Sequence, residues 1–98
     1  MPLQTVVGAD NYVGDGQETS LATAKALPSI PTGTSAPTYA IIQALTKNIR
    51  IRGGGSTPTA ALGFLVAAGS SITWTGELAG VRMIETDTSA EVNVLYFR

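Results

Sequence analysis

The 98-residue sequence contains no histidine and no cysteine. Histidine is the usual general base near neutral pH, so its absence excludes the common Ser-His catalytic pair. Without cysteine there are no disulfide bonds and no thiolate metal ligands. A serine–lysine pair would need Lys25 or Lys47, and neither lies in a supporting motif. We therefore expect a protein that is not an enzyme and that holds no cofactor or metal.

Charged and aromatic residues are also scarce. Charged residues make up 13% of the chain, about half of the usual share near 25%. The net charge of -1 gives no field that would attract nucleic acid or an anionic membrane. Glu85 and Asp87 lack the glycine-punctuated loop of a calcium site. Because interfaces are depleted in charge, this composition favours a surface partly covered by neighbours and hence a homo-oligomer.

Long hydrophobic runs are missing as well. No apolar run approaches the ~20 residues of a membrane span. Residues 1–4 have neither the basic region nor the apolar region of a secretory signal. The length fits one small domain. We therefore expect an intact chain made in the cytoplasm, with no membrane partner.

The patterns that are present are those of strands. Residues 48–52 alternate apolar and polar side chains, as in a strand with one buried face. The glycines at 53–55 and Pro58 break this pattern, and an apolar run at 60–68 follows. This indicates a strand, a wide turn and a returning strand. Residues 71–75 show the same alternation, with Ile72 and Trp74 on the buried side.

Further strands are predicted at 4–7, 38–45, 80–85 and 91–97. At residues 20–27 a strand is preferred, although a short helix fits nearly as well. Strand signals every 8–12 residues, with no long helix, indicate an all-β sandwich or barrel of about seven short strands. The long turns favour Greek-key or jelly-roll connections. Residues 8–19 hold three glycines and three acids, which predicts a loop or arm. We therefore divide the chain into an N-terminal strand and flexible arm (1–20) and a sandwich domain (21–98).

Several side chains are candidates for contact with other proteins. The last strand is apolar on both faces, so Leu95 and Phe97 either cover a second sheet or meet another subunit; burying each is worth about 1.5–3 kcal/mol. Arg50 and Arg52 form a basic strip that is expected to pair with acids, either in this chain or in a partner. Residues 8–19 are expected to form either a surface loop or an arm that orders against a neighbouring subunit. The candidate interface residues are Tyr12, Val13, Arg50, Arg52, Leu95 and Phe97.

Aromatic residues allow a different kind of site. Trp74, Tyr96 or Tyr12 could form a platform on which a sugar stacks. The positions of Trp74 and Tyr96 within alternating strands favour core packing instead. A carbohydrate-binding β-sandwich module is therefore kept as an alternative function.

From residue 27 to residue 98, the order of motifs resembles that of small structural proteins of tailed bacteriophages. The matching pieces are residues 40–43, 48–52, 54–59, Gly63 with its apolar strand, Gly69, the Ile72 and Trp74 strand, 81–84 and 92–97. The resemblance implies a decoration, or cement, protein on the capsid exterior of the virion. Such a protein bridges capsomers, binds the major capsid protein and commonly forms a trimer. A head-to-tail connector or tail component is the alternative within this class.

Overall fold

The computed structural model describes residues 12–98, which form eight strands. The strand predicted at residues 4–7 lies outside the described residues. No helix in the described part of the chain is long and apolar enough to cross a membrane. The strands are β1 (Tyr12–Glu18), β2 (Lys25–Ala26), β3 (Tyr39–Ala44), β4 (Ile49–Arg52), β5 (Phe64–Val66), β6 (Ser71–Thr75), β7 (Arg82–Glu85) and β8 (Val92–Phe97), and one 3-10 turn spans Gly33–Ser35.

The strands form two antiparallel sheets of four. Sheet A has the order β1-β8-β3-β6, and sheet B has the order β2-β7-β4-β5. The pairs between the two halves of the described chain are β1 with β8, β2 with β7, β3 with β6 and β4 with β5. This is the pairing of one long antiparallel ribbon folded over itself, which is a jelly roll. The predicted all-β sandwich is therefore confirmed, with eight strands in place of about seven.

The core lies between the two sheets, where the alternating patterns place it. In β3, Ala40, Ile42 and Ala44 are fully buried, and the predicted return from β4 to β5 is present. Ile49 and Ile51 of β4 are buried, as the alternation predicts. The three side chains predicted on the inner face of the last strand are also fully buried: Val92, Val94 and Tyr96.

The N-terminal loop prediction is wrong for residues 12–18, which form β1. This strand pairs with β8 from Tyr12 to Glu18, with a bulge between Tyr12 and Gly14. A Cβ at Gly16 would lie 2.9 Å from the carbonyl oxygen of Pro28. At Gly14 it would lie 3.0 Å from Cγ of Pro31. Because neither glycine has a side chain, the segment that holds Pro28 and Pro31 can pack closely against the inner face of β1.

Residues 19–31, which include β2, close the lateral edge of the sandwich that is formed by β1 of sheet A and β2 of sheet B. Leu21 is 0% exposed and Leu27 is 5% exposed. The hydroxyl of Tyr96 donates a hydrogen bond to the carbonyl of Pro28, which fastens this segment to sheet A. The strand predicted at 20–27 is limited to the two residues of β2. Its flanking leucines fill the core in place of further strand pairing.

Within residues 12–98, Arg50 and Arg52 pair with backbone carbonyls and with no acid, so the prediction fails for acids of this part of the chain; pairing with acids of a partner stays a prediction. Arg50 donates from Nη1 to the carbonyl of Gly63 at 2.9 Å and from Nε to that of Ala60 at 3.2 Å. Arg52 makes only a 3.5 Å contact with the carbonyl of Thr57. The ion pair found among the described residues joins Lys47 to Asp87 at 4.0 Å. The arginines thus brace the loop at 53–63 against the outer face of sheet B.

The two arginines differ enough to give a matched test. Arg50→Ala is expected to lower the free energy of unfolding by about 1–2 kcal/mol, because it removes two hydrogen bonds from a charged donor. Arg52→Ala is expected to cost about 0.5 kcal/mol or less, because its single contact is long and exposed. Urea unfolding of both variants measures the difference. Equal losses would show that Arg50 does not hold the loop.

Candidate interaction surface

The outer face of sheet A is the candidate site. Successive strands place their outward side chains opposite one another, so these residues form rows across the sheet. We call this surface the sheet A face. An aromatic row holds Tyr12, Phe97, Tyr39 and Thr75, an aliphatic row holds Asp15, Leu95, Ile41 and Thr73, and an amide row holds Gln17, Asn93, Gln43 and Ser71.

The aromatic row shows whether Leu95 and Phe97 are covered within this chain, which the sequence leaves open. Phe97 points away from the core, yet it is only 3% exposed. The Tyr39 ring stacks on it, with centroids 5.2 Å apart and an interplanar angle of 14°. The Tyr12 ring meets it edge-on at 6.0 Å. Phe97 is therefore covered by two aromatic side chains of its own chain. Tyr12 (44%) and Leu95 (39%) remain exposed.

Asp15 is the one charged side chain in the three rows. The hydroxyl of Tyr12 donates a hydrogen bond to Oδ2 of Asp15. This bond, together with burial and the charge of Asp15, raises the pKa of Tyr12 above its ordinary value. Tyr12 is therefore neutral at physiological pH, and the Asp15 carboxylate already has a partner. The three rows therefore carry one formal negative charge and no positive charge.

The amide row supplies polar groups next to this apolar centre. Gln17, Asn93 and Gln43 come from three neighbouring strands, and no hydrogen bond joins their side chains to other described residues. Each amide can both donate and accept. They border a shallow groove of about 470 Å³, which is lined by Asp15, Gly16, Gln17, Gln43, Asn93, Val94 and Leu95.

The structure brings together three of the six residues predicted at the interface. Tyr12, Leu95 and Phe97 lie on the sheet A face. Val13 is half-buried against the core. The other two, Arg50 and Arg52, lie on the outer face of sheet B, on the opposite side of the sandwich. The sequence prediction therefore combined residues from both sides of the molecule.

The aromatic residues proposed as a sugar platform are divided in the same way. Trp74 faces the interior: its ring lies 2.5 Å from where a Cβ on Gly53 would stand. Tyr96 is fully buried. Of the three, Tyr12 alone presents its ring on the sheet A face. Within residues 12–98, no three Asp or Glu side chains come together as metal ligands.

Sequence reasoning missed the amide row and the part played by Tyr39 and Ile41. The alternation in residues 38–45 places these two residues on one face of a strand. It does not show that this face is the outer one, or that β8 lies alongside. A search for similar proteins gives no match among family models, curated proteins or solved structures. Function must therefore be argued from the surface itself.

Proposed function

We propose that this chain is a non-enzymatic virion structural protein, a capsid decoration protein that binds the major capsid protein on the exterior of the shell. The sheet A face is the surface proposed to make that contact. The observation that carries the proposal is the composition of its rows: aromatic and aliphatic side chains, neutral amides and hydroxyls, and one carboxylate.

The composition of this surface fits a contact between proteins. The centres of such interfaces are enriched in aromatic residues and depleted in charge, and their rims are polar. Here Tyr12, Tyr39 and Leu95 would form the centre, with the amide row along one side. The molecule measures 36 × 33 × 18 Å, and the four strands of sheet A, spaced about 4.8 Å apart, span about 19 Å of its broad side. The sheet A face is therefore smaller than the about 800 Å² that a standard interface takes from each partner, and it fits one of several small footprints on a shell.

The architecture gives independent but weaker support. Jelly rolls recur in viral capsid proteins and in lectins, although a fold alone does not establish a function. The motif order of residues 27–98 also resembles that of phage structural proteins. A small rigid sandwich that touches several capsid subunits adds contact area where they could separate. Several weak footprints then act together to give strong attachment.

Binding to shells tests the proposal. Purified protein is mixed with phage particles from which the gene for this chain has been deleted, and bound protein is measured by co-sedimentation. We expect the native chain to bind, and Leu95→Lys to bind at least about tenfold more weakly, which corresponds to about 1.4 kcal/mol. A lysine at this exposed position leaves the core intact but places a charge in the centre of the contact.

Leu65→Lys is the matched control. Leu65 is 43% exposed, similar to Leu95, but lies opposite Arg50 on the outer face of sheet B. We expect this variant to bind shells as the native chain does. Equal loss in both variants would contradict the assignment to the sheet A face. No binding by the native chain would contradict the decoration role.

A carbohydrate-binding module is the second candidate, and the groove beside the amide row favours it. The three amides and Asp15 could hydrogen-bond to a sugar. The exposed Tyr12 ring could stack on it. Affinity electrophoresis in polysaccharide gels separates the two functions. Retardation that Gln43→Ala abolishes would favour the sugar site, whereas shell binding without retardation favours the structural role.

A connector or tail component would bind virions at a vertex or tail instead of across the shell.

A further inference from the structure

One lateral edge of the sandwich is not covered by any segment of residues 12–98. It is formed by β5, the edge strand of sheet B, and β6, the edge strand of sheet A. Among the described strands, β5 pairs only with β4, and β6 pairs only with β3. Their outward backbone donors and acceptors therefore have no strand partner. We call β5 and β6, together with Leu62 just before β5, the open edge.

Side chains that point into the sandwich are incompletely buried at the open edge. Ile72 and Trp74 are inward-facing residues of β6, yet both are only half-buried. Phe64 lies on the same side of sheet B as buried Ile51, yet it is 58% exposed. At the opposite edge, residues 19–31 close the sandwich. No described segment does this beside β5 and β6.

The open edge also lacks the usual protection of an edge strand. Exposed edges normally carry charged residues, prolines or bulges that prevent pairing with another chain. No residue from 53 to 76 is charged, and neither β5 nor β6 contains proline. Leu62 and Leu65 add further exposed apolar surface, at 53% and 43%. This edge is therefore suited to pairing with another strand.

We propose that a second copy of this chain occupies the open edge, with the β6 strands of the two copies paired antiparallel about a two-fold axis at Thr73. In this register Thr73 meets Thr73 of the other copy, and Ser71 meets Thr75. On the inner side, Ile72 of each copy meets Trp74 of the other. Sheet A then continues through both copies as one eight-stranded sheet.

The open edge is complementary to itself, which is why a second copy is the occupant. Hydroxyl groups both donate and accept, so a row of Ser71, Thr73 and Thr75 can pair with the same row reversed. The isoleucine–tryptophan pairs bury side chains that the single chain leaves half-exposed. β6, with five residues, runs for about 17 Å, and the molecule is 18 Å thick. The contact is therefore smaller than a standard interface, and its stability rests on the backbone pairing and on the two isoleucine–tryptophan contacts.

This contact shares Ser71, Thr73 and Thr75 with the margin of the sheet A face, but it does not involve the proposed centre of the capsid contact at Tyr12, Tyr39 and Leu95. It involves the lateral edge, and the dimer leaves most of both sheet A faces exposed. A two-fold contact closes on two copies, so it gives a dimer where the family resemblance implies a trimer. Shell binding and self-association can therefore succeed or fail separately.

Charge substitutions at Thr73 test the contact. Sedimentation of the native protein is expected to show a species of twice the 10.1 kDa chain mass. Thr73→Lys alone and Thr73→Glu alone are each expected to be monomeric, because like charges would meet at the axis. An equimolar mixture of the two variants is expected to restore the dimer, since lysine then faces glutamate. Thr88→Lys, in an exposed turn far from β6 in sequence, is the control and is expected to remain dimeric.

The mixture makes the test decisive, because misfolded variants would not recover when combined. A native chain that sediments as a monomer or a trimer would overturn the proposal. So would dimers that persist in either single Thr73 variant, or a mixture that stays monomeric.

Discussion

Ile42→Ala is expected to lower the free energy of unfolding by about 2–5 kcal/mol. Ile42 lies in the centre of β3, points into the core and is 0% exposed to solvent. Its cross-strand neighbours are Val94 and Ile72, so truncation leaves a cavity between strands that cannot readily collapse. A domain of 98 residues is only marginally stable, so a loss of this size removes a large part of its stability. Urea denaturation measures it.

The adjacent residue supplies a control of the same chemistry. Ile41 is half-buried on the sheet A face, between Leu95 and Thr73. Ile41→Ala is expected to cost about 1 kcal/mol or less, because little of the lost surface was buried in the core. Comparable losses at both positions would mean that the two faces of β3 have been assigned incorrectly.

Tyr96→Phe is expected to cost about 1–3 kcal/mol at neutral pH. The substitution keeps the buried ring but removes the hydroxyl that donates to the carbonyl of Pro28. That carbonyl, which is partly buried, is then left without its partner, and the cost of an unpaired acceptor adds to the loss of the bond. The same bond fastens the segment that closes the edge beside β1. Tyr12→Phe, which removes an exposed hydroxyl, is expected to cost far less.

Tyr96 also gives the protein a specific sensitivity to alkali. Burial raises the pKa of Tyr96 above its ordinary value of 10.0. Below pH 10 the phenol is neutral in both the folded and the unfolded chain, so its contribution to stability is complete. Above pH 10 the unfolded chain releases the proton first, and stability falls by up to about 1.4 kcal/mol per pH unit until the folded-state pKa is reached.

The difference between variants isolates this effect. Unfolding free energies measured from pH 8 to pH 12 are expected to decline more steeply in the native chain than in Tyr96→Phe. Tyr12→Phe is expected to keep the steep decline, because it retains Tyr96. Parallel curves for the native chain and Tyr96→Phe would contradict the burial of an un-ionised phenol.

The sequence predicts the inner face of the fold well. Alternation in residues 48–52 and 91–97 identifies Ile49, Ile51 and Val94 as inward side chains, because burial imposes a period of two on any half-buried strand. The turn glycines separate β4 from β5 correctly. These signals are local: the alternation within one segment shows which side chains point inward, whichever strands pair with that segment.

Features that depend on pairing between distant segments could not be predicted. β1 looks like a loop because Gly14 and Gly16 have weak strand propensity, yet pairing with β8, some 80 residues later, makes it a strand. The three rows of the sheet A face exist only because β8 lies between β1 and β3. Arg50 finds loop carbonyls instead of acids for the same reason: the return of the chain at Gly63 places them within reach.

The central claim is that this jelly roll works by contact, with its sheet A face against a capsid protein. A density map of the native phage particle tests that claim most directly. We expect density for the sandwich on the outside of the shell, with Tyr12, Tyr39 and Leu95 at the contact with the major capsid protein. Particles that lack the sandwich, or a sandwich whose sheet A face points to solvent, would contradict it.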